Sequence, residues 1–183
     1  MPARASTRAR VHAAVLALAA EVGLAGLTME GIAARAGAGK QTLYRTWPTP
    51  ASILFDALLA RSTDAHGQVV VPDTGRPAQD LVVLLTQTVA ELQDPPNERL
   101  LRAVIAELQS DPDLGAQVLD DLLGPQLLAV ADRLRAAGLS DAVDGAELLL
   151  GPVLHRWLLR TRPFTADWLT AHVRRVLRAL ETT

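Results

Sequence analysis

AGAGKQTLYRTWP, residues Ala36–Pro48, holds the chain's single lysine, its single tyrosine and one of its three tryptophans. Gly37 sits where a left-handed residue would close one helix, and Gly39 where the next would be capped, less firmly than by Ser or Thr. Two helical turns over Lys40–Trp47 then end at Pro48, so the stretch predicts a tight turn between two short helices. Upstream, Thr28 is placed as the N-cap of a helix whose apolar face is Met29, Ile32, Ala33 and Ala36. Gly31 stands where Glu or Gln would complete a capping box, so only half of that device is present.

The flanks extend the helical reading. Val11, Val15, Leu18 and Val22 recur at helical spacing, predicting a helix from Arg8 to Val22 closed by Gly23. Thr49 and Pro50 open a further helix through Ile53, Leu54, Ala57, Leu58 and Arg61. Residues 67–77, with two Gly and two Pro, read as a loop. Further helices are predicted over 78–93, 97–109 and 113–137, the last bent at Gly124-Pro125. Another runs from Asp141 or Asp144 to Arg160, and a last one, capped by Thr165, ends near Leu180. Eight or nine helices and no strand predict an all-α protein.

Composition narrows the class. Aromatics are 3% and cysteine is absent, so the core is Leu, Val and Ala, and neither disulfides nor thiolate chemistry are available. The basic-then-apolar start superficially matches a signal peptide, but its helical spacing and the lack of an A-x-A-like site argue against one. No apolar run approaches the ~20 residues that span a bilayer, and a cytoplasmic protein with no membrane partner is the expectation. The net charge of −2 conceals +4 over residues 1–50 and −6 over the rest. A cationic head on an anionic body suggests that the head meets a polyanion.

Three short helices with this turn fit a helix-turn-helix. Leu43 points inward as its anchor, and Trp47 is expected to pack against the first helix rather than on a base. A two-turn helix is about 12 Å long and suits a major groove ~12 Å wide. Lys40 and Arg45 suit phosphate or guanine, and Gln41 suits adenine. Thr42 suits phosphate or a thymine methyl, and Tyr44 a phosphate oxygen through its hydroxyl. Thr46 lies on the same surface, and Thr28 with the first N–H groups of its helix suits another phosphate.

Thr28, Ile32-Ala33, Ala36-Gly37, Thr42-Leu43-Tyr44-Arg45 and Trp47-Pro48 resemble, at matching spacing, the N-terminal domain of TetR-family transcriptional regulators. The resemblance covers about residues 8–60; the remainder agrees in length and helical pattern. It implies a DNA-binding domain over residues 1–48 and a helical effector-binding and dimerisation domain over 49–183. It also implies a homodimer on a pseudo-palindromic double-stranded operator, with a small-molecule effector weakening DNA binding. Two departures stand out. Ala38-Gly39 replaces a frequent Val-Ser, which removes a side-chain cap. Pro50 replaces a Lys that commonly contacts phosphate, leaving Arg4, Arg8 or Arg10 to compensate; weaker operator binding and a smaller salt slope follow.

In the body, Ala146, Leu149, Leu150, Val153, Leu154, Trp157 and Leu158 form one apolar stripe, and Leu169, Val173, Val176, Leu177 and Leu180 another. Leu150, Leu154, Leu169, Val173, Val176 and Leu177 are the candidate dimer interface. Polar groups on apolar helices (Gln87, Gln109, Gln126, His155) and the large rings, Trp157 among them, are effector-pocket candidates, which points to a mainly apolar ligand. The acidic cluster Asp111, Asp113, Asp120 and Asp121 is better explained by helix starts than by a metal. His12, His66, His155 and His172 lie in separate segments without metal-ligand spacing. No P-loop, GxSxG or dinucleotide fingerprint marks a catalytic residue or cofactor. The expectation is a regulator, most plainly a repressor released by a ligand, and not an enzyme. A DNA-binding protein with no effector is the alternative, and it predicts a filled C-terminal core.

Overall fold

The computed structural model describes residues 2–61, 63–64, 69–108 and 111–181, with side chains from Thr7 onward. Among these residues the ordered elements are helical: α1 (Pro2–Val22), α2 (Met29–Ala36), α3 (Lys40–Tyr44), α4 (Pro50–Leu59), α5 (Pro77–Gln93), α6 (Pro95–Leu108), α7 (Pro112–Val118), a π-helical turn (Leu119–Leu123), α8 (Gly124–Ala136), α9 (Ala142–Leu159) and α10 (Ala166–Leu180). No described helix is long and apolar enough to cross a membrane.

Local chemistry sets most of these boundaries. The Thr49 hydroxyl accepts from the Ser52 N–H at 3.0 Å, while the Ser52 hydroxyl accepts from the Thr49 N–H at 3.2 Å. That reciprocal box, with Pro50 at the first helical position, starts α4 where its pattern predicts. Asp111 caps α7 by accepting from Leu114 N–H at 3.0 Å, the helix-start role expected of it. Thr165 caps α10 by accepting from Trp168 N–H at 3.2 Å.

Four boundaries differ from the sequence reading. α1 begins at Pro2 rather than Arg8, because Ala and Arg sustain a helix without an apolar stripe. α6 begins at Pro95 rather than Asn97; the two prolines occupy its first turn, where missing N–H groups cost nothing. Asp141 precedes α9 but makes no side-chain cap, since it adopts φ +47°. The helix expected over 113–137 is not simply bent at Gly124-Pro125: a π-helical turn over Leu119–Leu123 separates α7 from α8. Pro125 has no N–H and its ring would strike the carbonyl four residues back in an α-helix. Widening the preceding turn removes that conflict.

The chain forms two compact units, residues 1–68 with 99–123, and residues 69–98 with 124–183. In the first, α1, α2, α3 and α4 enclose Val11, Val15, Ile32, Leu43, Ile53, Leu54 and Phe55, each fully buried. In the second, α5, α8, α9 and α10 enclose Leu81, Leu85, Leu134, Ala146, Leu149 and Val153. This second core also holds a buried ion pair, Arg133 to Asp80, at 2.7 Å. Asp80 accepts from the Thr74 hydroxyl at 2.7 Å and its N–H at 3.0 Å, and Arg133 donates to the Pro72 carbonyl at 3.2 Å. The segment read as a loop is thereby pinned to α5 and α8. Burial alone would raise the Asp80 carboxyl, but the bonds from Arg133 and Thr74 outweigh it and hold its pKa at about 2.

Candidate nucleic-acid interface

The candidate interface is built by the turn between α2 and α3. The Thr28 hydroxyl accepts from Gly31 N–H at 3.0 Å and fixes the start of α2. At the other end Gly37 takes φ +60°, and Ala38 N–H reaches the Ala33 carbonyl at 3.0 Å. That left-handed turn brings α3 back across α2. Gly39 caps α3 through its backbone alone, with no side-chain bond. Regular α-helix ends at Tyr44, three residues short of the expected span, yet Trp47 N–H still bonds the Leu43 carbonyl at 2.9 Å.

Leu43 and Trp47 face the core, while Lys40, Gln41, Tyr44, Arg45 and Thr46 are exposed and Thr42 is half-buried. Tyr44 is 52% exposed, a large ring left in solvent by a chain with few rings to spare. The Lys40 ammonium pairs with the Glu30 carboxylate and lies 5.8 Å from the Tyr44 ring centroid. Both members of that pair are well exposed, and such pairs contribute only ~0.2–1 kcal/mol, so a phosphate can displace Glu30. The Arg45 guanidinium has no hydrogen-bond or ion-pair partner among the described residues.

Beneath α3 lies a network that sequence reading missed. Asp56 of α4 accepts from the Trp47 indole N–H at 2.8 Å, from His12 Nε2 at 2.9 Å and from Arg8 Nε at 3.2 Å, with a second bond from Arg8 Nη2. The His12 and Trp47 rings meet edge to face at 6.2 Å, so Trp47 packs against α1 as expected. One carboxylate thus ties α1, the end of α3 and α4 together. Burial would raise it, but the bonds from His12, Arg8 and Trp47 and the Arg8 charge prevail and bring its pKa from 3.8 to about 2. The signal in the sequence was a single carboxylate inside the apolar run Ile53-Leu54-Phe55-Asp56-Ala57-Leu58.

Two of the three arginines considered as substitutes at Pro50, Arg8 and Arg10, are otherwise engaged. Arg8 is paired with Asp56, and Arg10 Nε donates to the Ala36 carbonyl at 3.1 Å, satisfying the end of α2. The Arg4 side chain lies outside the described residues.

The other site residues are distributed as follows. In the second unit Trp157 is buried and donates its indole N–H to the Leu92 carbonyl at 2.8 Å, which makes it a core residue. Gln126 is half-buried, Gln87 and His155 are exposed, and Gln109 and His66 lie outside the described residues. Of the dimer candidates, Leu169, Val173 and Val176 are buried within this unit, Leu150 and Leu177 are half-buried, and Leu154 is exposed. α9 also exposes Val143 and Leu158 on the Leu154 side.

Comparison with known proteins gives the same picture from outside. Residues 12–57 match the family model described as bacterial regulatory proteins, tetR family. Residues 71–176 match the Tetracyclin repressor-like, C-terminal domain. The chain is 31% identical over 174 residues to the uncharacterized HTH-type transcriptional regulator Rv1556 of Mycobacterium tuberculosis, covering 88% of this chain and 81% of that one. It is 33% identical over 103 residues to the HTH-type transcriptional regulator AqdR of Rhodococcus erythropolis, covering 56% of this chain and 48% of the relative. Among solved structures, the TetR family transcription regulator SCO0332 superposes with a TM-score of 0.74 at 29% identity, covering 94% of this chain and 97% of the other.

Proposed function

The chain belongs to the TetR family of DNA-binding transcriptional regulators, and on that footing we propose that it is a homodimeric cytoplasmic repressor released from a pseudo-palindromic operator by a small ligand. The division of labour follows the sequence, with residues 1–48 for DNA and 49–183 for effector and partner. The observation that carries the DNA reading is the exposed face of α3, held from beneath by Leu43 and Trp47. Lys40, Gln41, Thr42, Tyr44, Arg45 and Thr46 offer this face to the major groove, and Thr28 with the start of α2 takes a flanking phosphate. Arg45, with no partner among the described residues, donates first; Lys40 follows once phosphate replaces Glu30.

The apolar stripe of α9, with Val143, Leu150, Leu154 and Leu158, supports dimerisation, since a stripe this long calls for cover. Leu177 joins it from α10, while Leu169, Val173 and Val176 stiffen the bundle from within. The dyad then presents two copies of α3 to two half-sites.

The test is selection of bound sequences from random duplex DNA, followed by competition with each base of the selected site changed. Selection of an inverted repeat supports the reading. Lys40→Ala then weakens all sites alike if Lys40 serves phosphate, or relaxes one position if it reads guanine. Failure to select any sequence, or equal binding by wild type and Lys40→Ala, overturns it.

A further inference from the structure

The outer face of α9 carries a gap and a charge order that its own unit does not use. At about 100° per residue, Asp144, Glu147, Leu148, Leu154, His155 and Leu158 all lie within roughly 60° of Gly151 around the helix axis. Each of them is exposed, and a Cβ built on Gly151 would meet nothing within 4 Å. Glycine inside a helix is less favourable than alanine, so one in open space at the middle of an 18-residue helix calls for a close neighbour from outside.

The charges run from acidic to basic along this helix. Asp144 and Glu147 stand in its first half, His155 and Arg156 in its second, and Arg162 just beyond its end. The helix dipole favours that order, yet it gives the basic end no counter-ion. Arg156 is firmly placed there: its guanidinium lies 3.9 Å from the centroid of the Trp168 ring, and its Nη1 donates to the Pro163 carbonyl at 3.0 Å. Trp168 stacks on buried His172 at 5.0 Å, and His172 Nε2–H donates to the Leu149 carbonyl at 2.9 Å. Burial, and then the like charges of Arg162 and Arg175, lower the Arg156 pKa from its ordinary value. Asp144, Glu147 and Arg162 have no hydrogen-bond or ion-pair partner among the described residues. They cannot serve one another within the chain, because Glu147 and His155 alone are about 12 Å apart along the axis.

An antiparallel copy brings the two ends together. A two-fold axis crossing the helix at Gly151 sets each residue opposite the one equally far on the other side of Gly151 in the partner. Glu147 of the partner subunit then stands level with His155, and Asp144 of the partner subunit comes level with Leu158, near Arg162. Leu148 falls opposite the partner's Leu154, which covers both. A parallel pairing would instead set acids against acids and arginines against arginines.

We infer that a second copy of this chain lies antiparallel across α9 with its register set at Gly151, and that its Asp144 and Glu147 complete the site formed by His155, Arg156 and Arg162. Each chain holds half of that site at either end of one helix. The matching ends select the chain's own copy over chains of the same fold with another charge order. The inference rests on the dimer reading above and adds register, counter-ions and self-selection to it.

The experiment exchanges charges in the full-length chain and reads association by light scattering and sedimentation. One variant carries Asp144→Arg with Glu147→Arg, the other His155→Glu with Arg162→Glu, and both leave the Arg156–Trp168 stack in place. Each alone should dimerise at least about tenfold more weakly than wild type. Mixed in equal amounts, they should pair within about threefold of wild-type affinity, because one site is then reversed and the other native. The register is read independently. The chain has no cysteine, so Gly151→Cys puts a single thiol on the two-fold axis. Under mild oxidant it should form a disulfide-linked dimer at least tenfold faster than Val143→Cys or Leu158→Cys. Circular dichroism checks the fold of each charge variant, and if one is unfolded the cysteine series decides. Folded variants that dimerise like wild type, a mixture that is not rescued, or faster linking at either end of α9 overturns the inference. A wild-type chain that stays monomeric refutes the dimer reading itself, whereas a dimer linked in another register refutes only this inference.

Discussion

Replacing Asp56 with Asn removes one charge from beneath α3 and changes little in volume. The carboxylate side chain is 21% exposed and accepts hydrogen bonds from Trp47, His12 and Arg8. Its pKa of about 2 in the fold, against an ordinary 3.8, corresponds to about 2 kcal/mol favouring the ionised folded state. The folded value is the depressed one. The stabilisation is therefore complete above pH ~4 and disappears as the pH falls through about 2. Urea unfolding of wild type and Asp56→Asn at pH 7, and again between pH 4 and 2, measures it. At pH 7 the variant should be less stable by about 2 kcal/mol, and the gap should close on acidification as the wild-type carboxyl protonates. On the proposed DNA reading of α3, operator affinity should fall as well, because Trp47 loses the charge that fixes the end of α3. A gap below ~0.5 kcal/mol at pH 7, or one that persists unchanged to pH 2, would refute the network as a source of stability.

Three further outcomes follow from other parts of the chain. Pro50→Lys restores a phosphate donor at the start of α4 in each protomer, so operator binding should tighten and, with two new phosphate contacts per dimer, the slope of log affinity against log salt should steepen by about 1.8; an unchanged slope excludes a phosphate there. Tyr44→Phe keeps the ring and loses the hydroxyl, so affinity should drop without a change in preferred bases, and an altered selected operator would show that Tyr44 reads sequence. Asp80→Asn leaves the buried Arg133 with only the exposed Asp73 carboxylate, 3.1 Å away, so the thermal midpoint should fall while base preference stays the same; an unaltered midpoint would mean that Asp73, Thr74 and Pro72 suffice to hold the segment.

What was legible in the sequence was whatever short-range chemistry decides. Gly37, Gly39, Thr28, Thr49 and Pro48 set turns and caps by their own conformational limits, so α2, the turn and the start of α3 could be placed without knowing their neighbours. The Asp56 network was not legible because two of its three partners lie 44 and 48 residues away in α1, and no periodicity says which helix face meets which. The Glu30–Lys40 pair was hidden for the same reason, ten residues apart across the turn. Pro125 announced an irregularity but not its kind, since a kink and a widened turn both relieve a missing N–H. The stripe of Leu169, Val173 and Val176 was seen correctly as apolar. Periodicity shows that a face is covered, not whether the chain's own helices or a second copy cover it.

The solitary lysine has a chemical consequence. A reagent that acylates lysine finds one ε-amine in this chain, and it is Lys40, with a side chain 47% exposed beside Glu30 on the face of α3 proposed to meet DNA. Acylation there would erase a positive charge and add bulk at one defined place. The protein therefore carries an intrinsic footprinting handle: the rate at which that single amine is modified reports how often α3 is covered, with no label on either the protein or the duplex.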